Sequence, residues 1–204
     1  MAAQHQPTKT TTTRFQRLVM KLIHLAGWKV PPFPAVEKAI VVGGPHTSNW
    51  DGVIGLSAAI ALGLNARFLI KHSLFKGPLG WLLRKLGGIP VDRSRAGGVV
   101  GQAVRELQHS DRLILVVTPE GTRSGARQWK TGFHRIAREA GVPILVTVAD
   151  YQSRELRFPL ILEPTENLEA DLEQLYNCFA SVIPRHPEKL SYPVREKYLR
   201  RHPD

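Results

Sequence analysis

The chain has 204 residues, one cysteine and a net charge of +11 at neutral pH; 43% of it is hydrophobic and 22% charged. That balance fits one globular domain with a real core, and it excludes a disordered chain, an internal disulfide and a cysteine-rich zinc site. No run reaches the roughly 20 apolar residues that cross a bilayer, and the surplus of Lys and Arg draws the protein toward anions: nucleic acid, acidic lipid or phosphorylated substrates.

In chain order, residues 1–13 are polar and simple and read as a disordered tail. In the next segment Phe15, Leu18, Val19, Leu22 and Leu25 recur at helical spacing, with Arg14, Arg17, Lys21 and His24 on the opposite side. This predicts a basic amphipathic helix that stops before the prolines of residues 31–34, either packed on the sheet with its basic face in water or set on an anionic surface. Lys21 and His24 interrupt its apolar run and no small-residue cleavage site follows, so it does not read as a signal peptide. Strands are predicted at 39–43, 67–71, 112–117, 143–150 and 156–163, the last demoted to an edge or bulge by Pro159. Helices are predicted at 51–64, 98–108, 132–140 and 168–183, the first of them buried. Alternating strands and helices predict an α/β fold over residues 35–204: a single domain with a mixed or largely parallel sheet flanked by helices.

Sites in such sheets gather at the carboxyl ends of strands. Three polar, glycine-bearing stretches fall there: GGPHTSNWDG (43–52), GGIPVDRSRAGG (87–98) and TPEGTRSG (118–125). In the first, Asp51 sits at a helix start with Ser48 or Asn49 as cap. Its carboxylate can orient the His46 ring and leave the other nitrogen free to take a proton. The same spacing is equally that of a capping residue with a histidine nearby, and both readings stand.

No Gly-x-Ser-x-Gly elbow is present, and Cys178 sits in a predicted helix. A histidine base would therefore act on a substrate hydroxyl that attacks an activated acyl or phosphoryl donor. Arg93 and Arg95, flanking Ser94, have the forked geometry that grips phosphate, and the helix start behind them adds N–H donors. Glu120 and Arg123 flank Gly121, whose lack of a side chain lets a ligand approach the backbone; a surface turn with a salt bridge is the plainer reading of either stretch. Neither a P-loop nor a paired-histidine metal spacing occurs. At 7% aromatic residues, with no recognition module, nucleic acid is not the expected partner.

In order, His46-Thr-Ser-Asn-Trp-Asp51, Gly88-Ile-Pro-Val-Asp-Arg93, Pro119-Glu-Gly-Thr-Arg-Ser124 and Val142-Pro-Ile-Leu-Val146 resemble the four blocks of the glycerolipid acyltransferase family typified by 1-acylglycerol-3-phosphate acyltransferases. The stretch KTGFHRIAREAGVPI (130–144) is similar to that family's link between its third and fourth blocks. The resemblance implies that His46 is the base and Asp51 its orienting partner. It implies that Arg93 holds the acceptor's phosphate, that Glu120, Gly121, Thr122 and Arg123 bind the glycerol phosphate, and that Pro143 shapes the site near the donor. The donor it implies is a fatty acyl thioester on CoA or acyl carrier protein, with no metal and no other cofactor. The acceptor it implies is a lysophospholipid met on the cytoplasmic side of an anionic membrane, by a peripheral or monotopic enzyme that docks through the amphipathic segment 14–34. Thr118 and Pro90 depart from the family pattern, which often has aromatic residues there, and a reshaped acceptor pocket is what those departures imply. A lyso-lipid without phosphate is the alternative acceptor, and a lipid-binding protein without turnover the alternative function.

Overall fold

A computed structural model describes residues 12–91 and 98–203. The chain enters through α1 (Arg14–Leu25), where Thr13 and Gln16 form a reciprocal capping box. Thr13 thus belongs to the helix rather than to the tail expected up to residue 13. The elements that follow are β1 (Lys38–Gly44), α2 (Asn49–Ala61), β2 (Ala66–Lys71), α3 (Gly77–Lys85), β3 (Gly88–Val91), α4 (Gly98–His109), β4 (Leu113–Val117), α5 (Gly132–Ala140), β5 (Ile144–Asp150), β6 (Glu155–Leu162), α6 (Leu168–Phe179) and α7 (Tyr192–Arg201).

Six strands form one sheet in the order β3-β2-β4-β1-β5-β6. Five run parallel, and β6 returns antiparallel to β5. β1, β4 and β5 are nearly unbroken apolar runs because the centre of a parallel sheet is covered on both faces. One face carries Ile40, Val42, Leu115, Ile144, Val146 and Val148, against the apolar sides of α4, α5, α6 and α7. The other carries the smaller cluster of Ala39, Val41, Ile114 and Leu145, with Phe33, Val36 and Phe158 packed on it.

Several elements differ from their expected form. The β3 stretch is read above as part of a glycine-bearing loop, yet Gly88–Val91 pairs with β2 in register Ile70↔Pro90. Proline is tolerated there because β3 is an edge strand, with one side free of ladder partners. α3 and α7 are additional helices; half of α7 is charged, and it is buried only at Val194 and Tyr198, four residues apart. α6 ends at Phe179, earlier than the expected residue 183, and frees the segment 180–190 to run back toward β1. α2 is not the buried helix its apolar sequence predicts: only Ala58, Ala59 and Ala61 are buried, and Val53 is 50% exposed.

The last residue of β1, Gly44, is held by close packing. A Cβ there would lie 2.0 Å from the ring of Phe179, which is fully buried. Gly44→Ala is therefore expected to cost at least the about 1–3 kcal/mol typical of overpacking, read as a lowered thermal midpoint. An unchanged midpoint would show that the Phe179 ring yields freely.

Candidate active site

β1 delivers the chain to its carboxyl end at Gly44, where a cis bond leads into Pro45 and then His46. Ser48 caps α2, its hydroxyl accepting the Trp50 N–H at 3.2 Å. Asp51 occupies the third helical position, and its Oδ2 accepts the N–H groups of Thr47 and Ser48 at 2.7 Å each. The same oxygen lies 3.5 Å from Nδ1 of His46, while Oδ1 accepts the Tyr151 hydroxyl at 2.6 Å. The two placements that this spacing allows occur together. Asp51 caps the helix, and in doing so presents its carboxylate to the imidazole.

Burial pushes the Asp51 carboxyl upward, but His46, Tyr151 and the two backbone N–H groups together hold it below its ordinary range. Asp51 is an anion at neutral pH, and an anion facing Nδ1 favours the tautomer with its proton there. Nε2 then has a free lone pair, and His46 borders the large cavity described next. The Tyr151 hydroxyl is pushed far up, by burial and by its bond to Asp51, so it remains a donor.

Glu120, assigned to the substrate from the sequence, is turned inward. It is 4% exposed, and its Oε2 accepts the backbone N–H of His46 at 2.5 Å. Burial raises its pKa, partly offset by that bond. It holds the His46 loop against the turn after β4. Gly121 has a φ of +64°, a conformation open to glycine, and borders the cavity beside Lys130. Thr122 is exposed and its hydroxyl accepts the Ser124 N–H at 3.3 Å. Arg123 reaches across to hydrogen-bond the Asn49 side chain. Arg93 and Arg95 lie outside the described residues. Pro143 is a correction: it immediately precedes β5 at the amino end, where its carbonyl accepts the Ile40 N–H, and the site lies past the other end of the strand.

The cavity measures about 590 Å³ and runs over the carboxyl edge of the sheet. Its walls are apolar: Val41, Ile114 and Val116 from one sheet face, Phe133 and Ile136 from α5, and Gly52, Gly55, Leu56 and Ala59 along α2. Gly52 and Gly55 line the cavity, and an added Cβ at either would meet nothing within 4 Å, so their missing side chains leave room there. His46, Asp51, Thr118, Lys130 and Thr147 supply a few polar groups to a largely apolar space, the usual make-up of a ligand site.

Tyr151 is the site residue that sequence reasoning missed. Its signal was positional: an aromatic hydroxyl just past the carboxyl end of β5, which neighbours β1 in the sheet. A second histidine–aspartate pair shows what distinguishes the first. His134 Nε2 lies 2.8 Å from Asp171 Oδ2, but both residues are buried and the carboxylate also takes the Thr165 N–H and hydroxyl. That pair ties α5 to the start of α6 and borders no described cavity.

The family model described as Acyltransferase matches residues 29–149, more than half of the chain. No curated protein matches the sequence. Among solved structures, the crystal structure of the 1-acyl-sn-glycerophosphate (LPA) acyltransferase PlsC from Thermotoga maritima is similar, with a TM-score of 0.52 at 16% identity over 83% of this chain and 79% of that one. At that identity the likeness concerns the fold: a mostly parallel sheet flanked by helices. With its family model spanning β1 to β5, the chain belongs to the acyltransferase family.

Proposed function

We propose that this acyltransferase moves a fatty acyl group from an acyl thioester, on CoA or acyl carrier protein, to the free hydroxyl of a lysophospholipid. 1-Acylglycerol-3-phosphate is the acceptor the sequence blocks favour. The observation that carries this reading is the placement of the His46–Asp51 pair in the wall of an apolar cavity that can receive a hydrocarbon chain.

In this reading Nε2 of His46 takes the proton of the acceptor hydroxyl as its oxygen attacks the thioester carbonyl. Asp51 keeps the ring oriented and stabilises the imidazolium that forms. The tetrahedral intermediate collapses, the C–S bond breaks, and the imidazolium returns the proton to the leaving thiolate. An ester and a free thiol result, with no bond to the protein. Tyr151 and the two loop N–H groups hold Asp51 in place, so a positioned base replaces a chance encounter.

A membrane surface is the proposed source of the acceptor. None of α1 is fully buried; Val19, Met20 and Ile23 are half-buried, while Phe15, Leu18, Leu22 and Leu25 are 52–83% exposed. α1 packs along α2, which forms one wall of the cavity. An exposed apolar stripe flanked by Arg14, Arg17 and Lys21 suits the headgroup boundary, where each basic residue contributes about 1 kcal/mol. No helix among the described residues is long and apolar enough to cross a membrane.

Three outcomes are expected. His46→Ala lowers turnover by about 10²–10⁴-fold without unfolding the protein, measured as thiol release from acyl-CoA in the presence of lysophosphatidic acid; a variant with wild-type rates would end the general-base reading. Asp51→Asn loses activity as well, and it also destabilises. Because the folded carboxyl is depressed, its stabilising contribution is present in full above the ordinary value of 3.8 and lost as pH falls through the lower folded value. The melting difference from wild type should therefore narrow below that pH. Gly55→Leu fills the cavity from α2 and shifts preference from palmitoyl toward octanoyl donors, since each methylene kept out of it forfeits about 0.8 kcal/mol; an unaltered donor ratio would place the acyl chain elsewhere.

The membrane proposal has its own test. Leu18→Glu with Leu22→Glu should abolish co-sedimentation with vesicles containing anionic phospholipid, and undiminished binding would remove α1 from the docking surface.

A further inference from the structure

A second cleft, of about 470 Å³, opens beside the same loop. Thr47, Ser48 and Asn49 form one wall, Arg123 comes from the turn after β4, and Arg185 and Lys189 come from the segment after α6. Arg185 and Lys189 lie beyond residues 29–149, the span the family model matches. No sequence motif drew attention to them.

This cluster is built rather than incidental. The segment is pinned at two points: the His186 N–H donates to the Thr47 hydroxyl in the His46 loop at 3.3 Å, and the Tyr151 N–H, just past β5, donates to the Ile183 carbonyl at 2.8 Å. The Arg185 guanidinium lies over the Trp50 ring at 5.7 Å and the Tyr151 ring at 6.0 Å, which limits its directions. Arg123 is aimed by its bond to Asn49. Among the described residues, none of the three cations is paired with a carboxylate; the nearby Glu188 pairs with His186 instead, at 3.3 Å. The first turn of α2 adds the positive end of a helix dipole to the same wall.

Three cations without a carboxylate partner among the described residues, two of them forked guanidinium groups, face a concave polar site and match a phosphate in charge and geometry. We propose that Arg185 and Lys189, with Arg123, hold a substrate phosphate next to the reaction centre, Thr47 of the cleft being the chain neighbour of His46. This rests on the acyl-transfer reading for the identity of the substrate. The phosphate belongs either to the headgroup of the acceptor or to the CoA or phosphopantetheine part of the donor, and the chemistry of the cleft suits both.

The test is calorimetric binding to the full chain, with two probes titrated separately: a short-chain lysophosphatidic acid below its micellar concentration, and CoA. The matching monoacylglycerol is the control without phosphate. Wild type should bind at least one phosphate probe, and Arg185→Gln with Lys189→Gln should weaken that probe tenfold or more at an unchanged melting temperature. Arg185→Lys, which keeps the charge but loses the fork, should fall between them and covers the case in which the double variant melts early. A loss confined to lysophosphatidic acid identifies the headgroup as the source, and a loss confined to CoA identifies the donor. The proposal is overturned if wild type binds neither probe, if monoacylglycerol binds as well as its phosphorylated counterpart, or if both variants bind like wild type. Thiol release by wild type, measured in parallel, separates the two readings. Turnover with no effect of the variants on binding leaves acyl transfer standing and removes the cleft, whereas variant-sensitive phosphate binding without turnover does the reverse.

Discussion

The carboxylate of Asp51 is the point on which the rest of the site depends. It takes two backbone N–H groups from the loop before α2, the hydroxyl of Tyr151 from the end of β5, and faces the imidazole of His46. A carboxylate this enclosed would ordinarily be driven toward its neutral form. Here its donors outweigh desolvation, so the charge persists where an imidazole can use it. The group that ends a strand–helix connection and the group that would orient a base are the same atoms, which would link the stability of the loop to the chemistry proposed beside it.

Around that carboxylate the sheet provides direction and α2 provides space. β1 lies between β4 and β5, so the turns after all three strands meet over one edge. Glu120 after β4 and Tyr151 after β5 close on the His46 loop from either side. Gly44 at the end of β1 allows the loop to seat against Phe179, where any side chain would collide. α2 gives Gly52 and Gly55 to the cavity wall, and the largely apolar volume beside it is the feature that suits a hydrocarbon chain. Glycine in a helix interior costs up to about 1 kcal/mol relative to alanine, so two of them on the cavity side of one helix set room above helical stability.

Much of this was legible beforehand. The alternation of apolar runs and amphipathic segments determined an α/β sheet, and the turn residues between them located the His46 and Glu120 loops at strand ends. Local chemistry also marked Asp51 as a capping residue, because capping depends on neighbours three or four positions away. The edge strand β3 was obscured by Pro90, and α7 by its many charges, since both owe their state to what lies beside them in the folded chain rather than to their own pattern.

The sequence by itself determined the fold class, four ordered blocks that resemble an acyltransferase family, and the candidate base with its carboxylate, because each is written in residues close together along the chain or in a repeating period. Only the tertiary structure decided that Glu120 serves the His46 backbone, that Tyr151 grips Asp51 from 100 residues away, that Pro143 stands at the wrong end of its strand, and that the segment after α6 lies beside the loop. Those contacts join segments whose spacing carries no periodic signal. They arise from the order in which the strands pack, which is a property of the whole sheet.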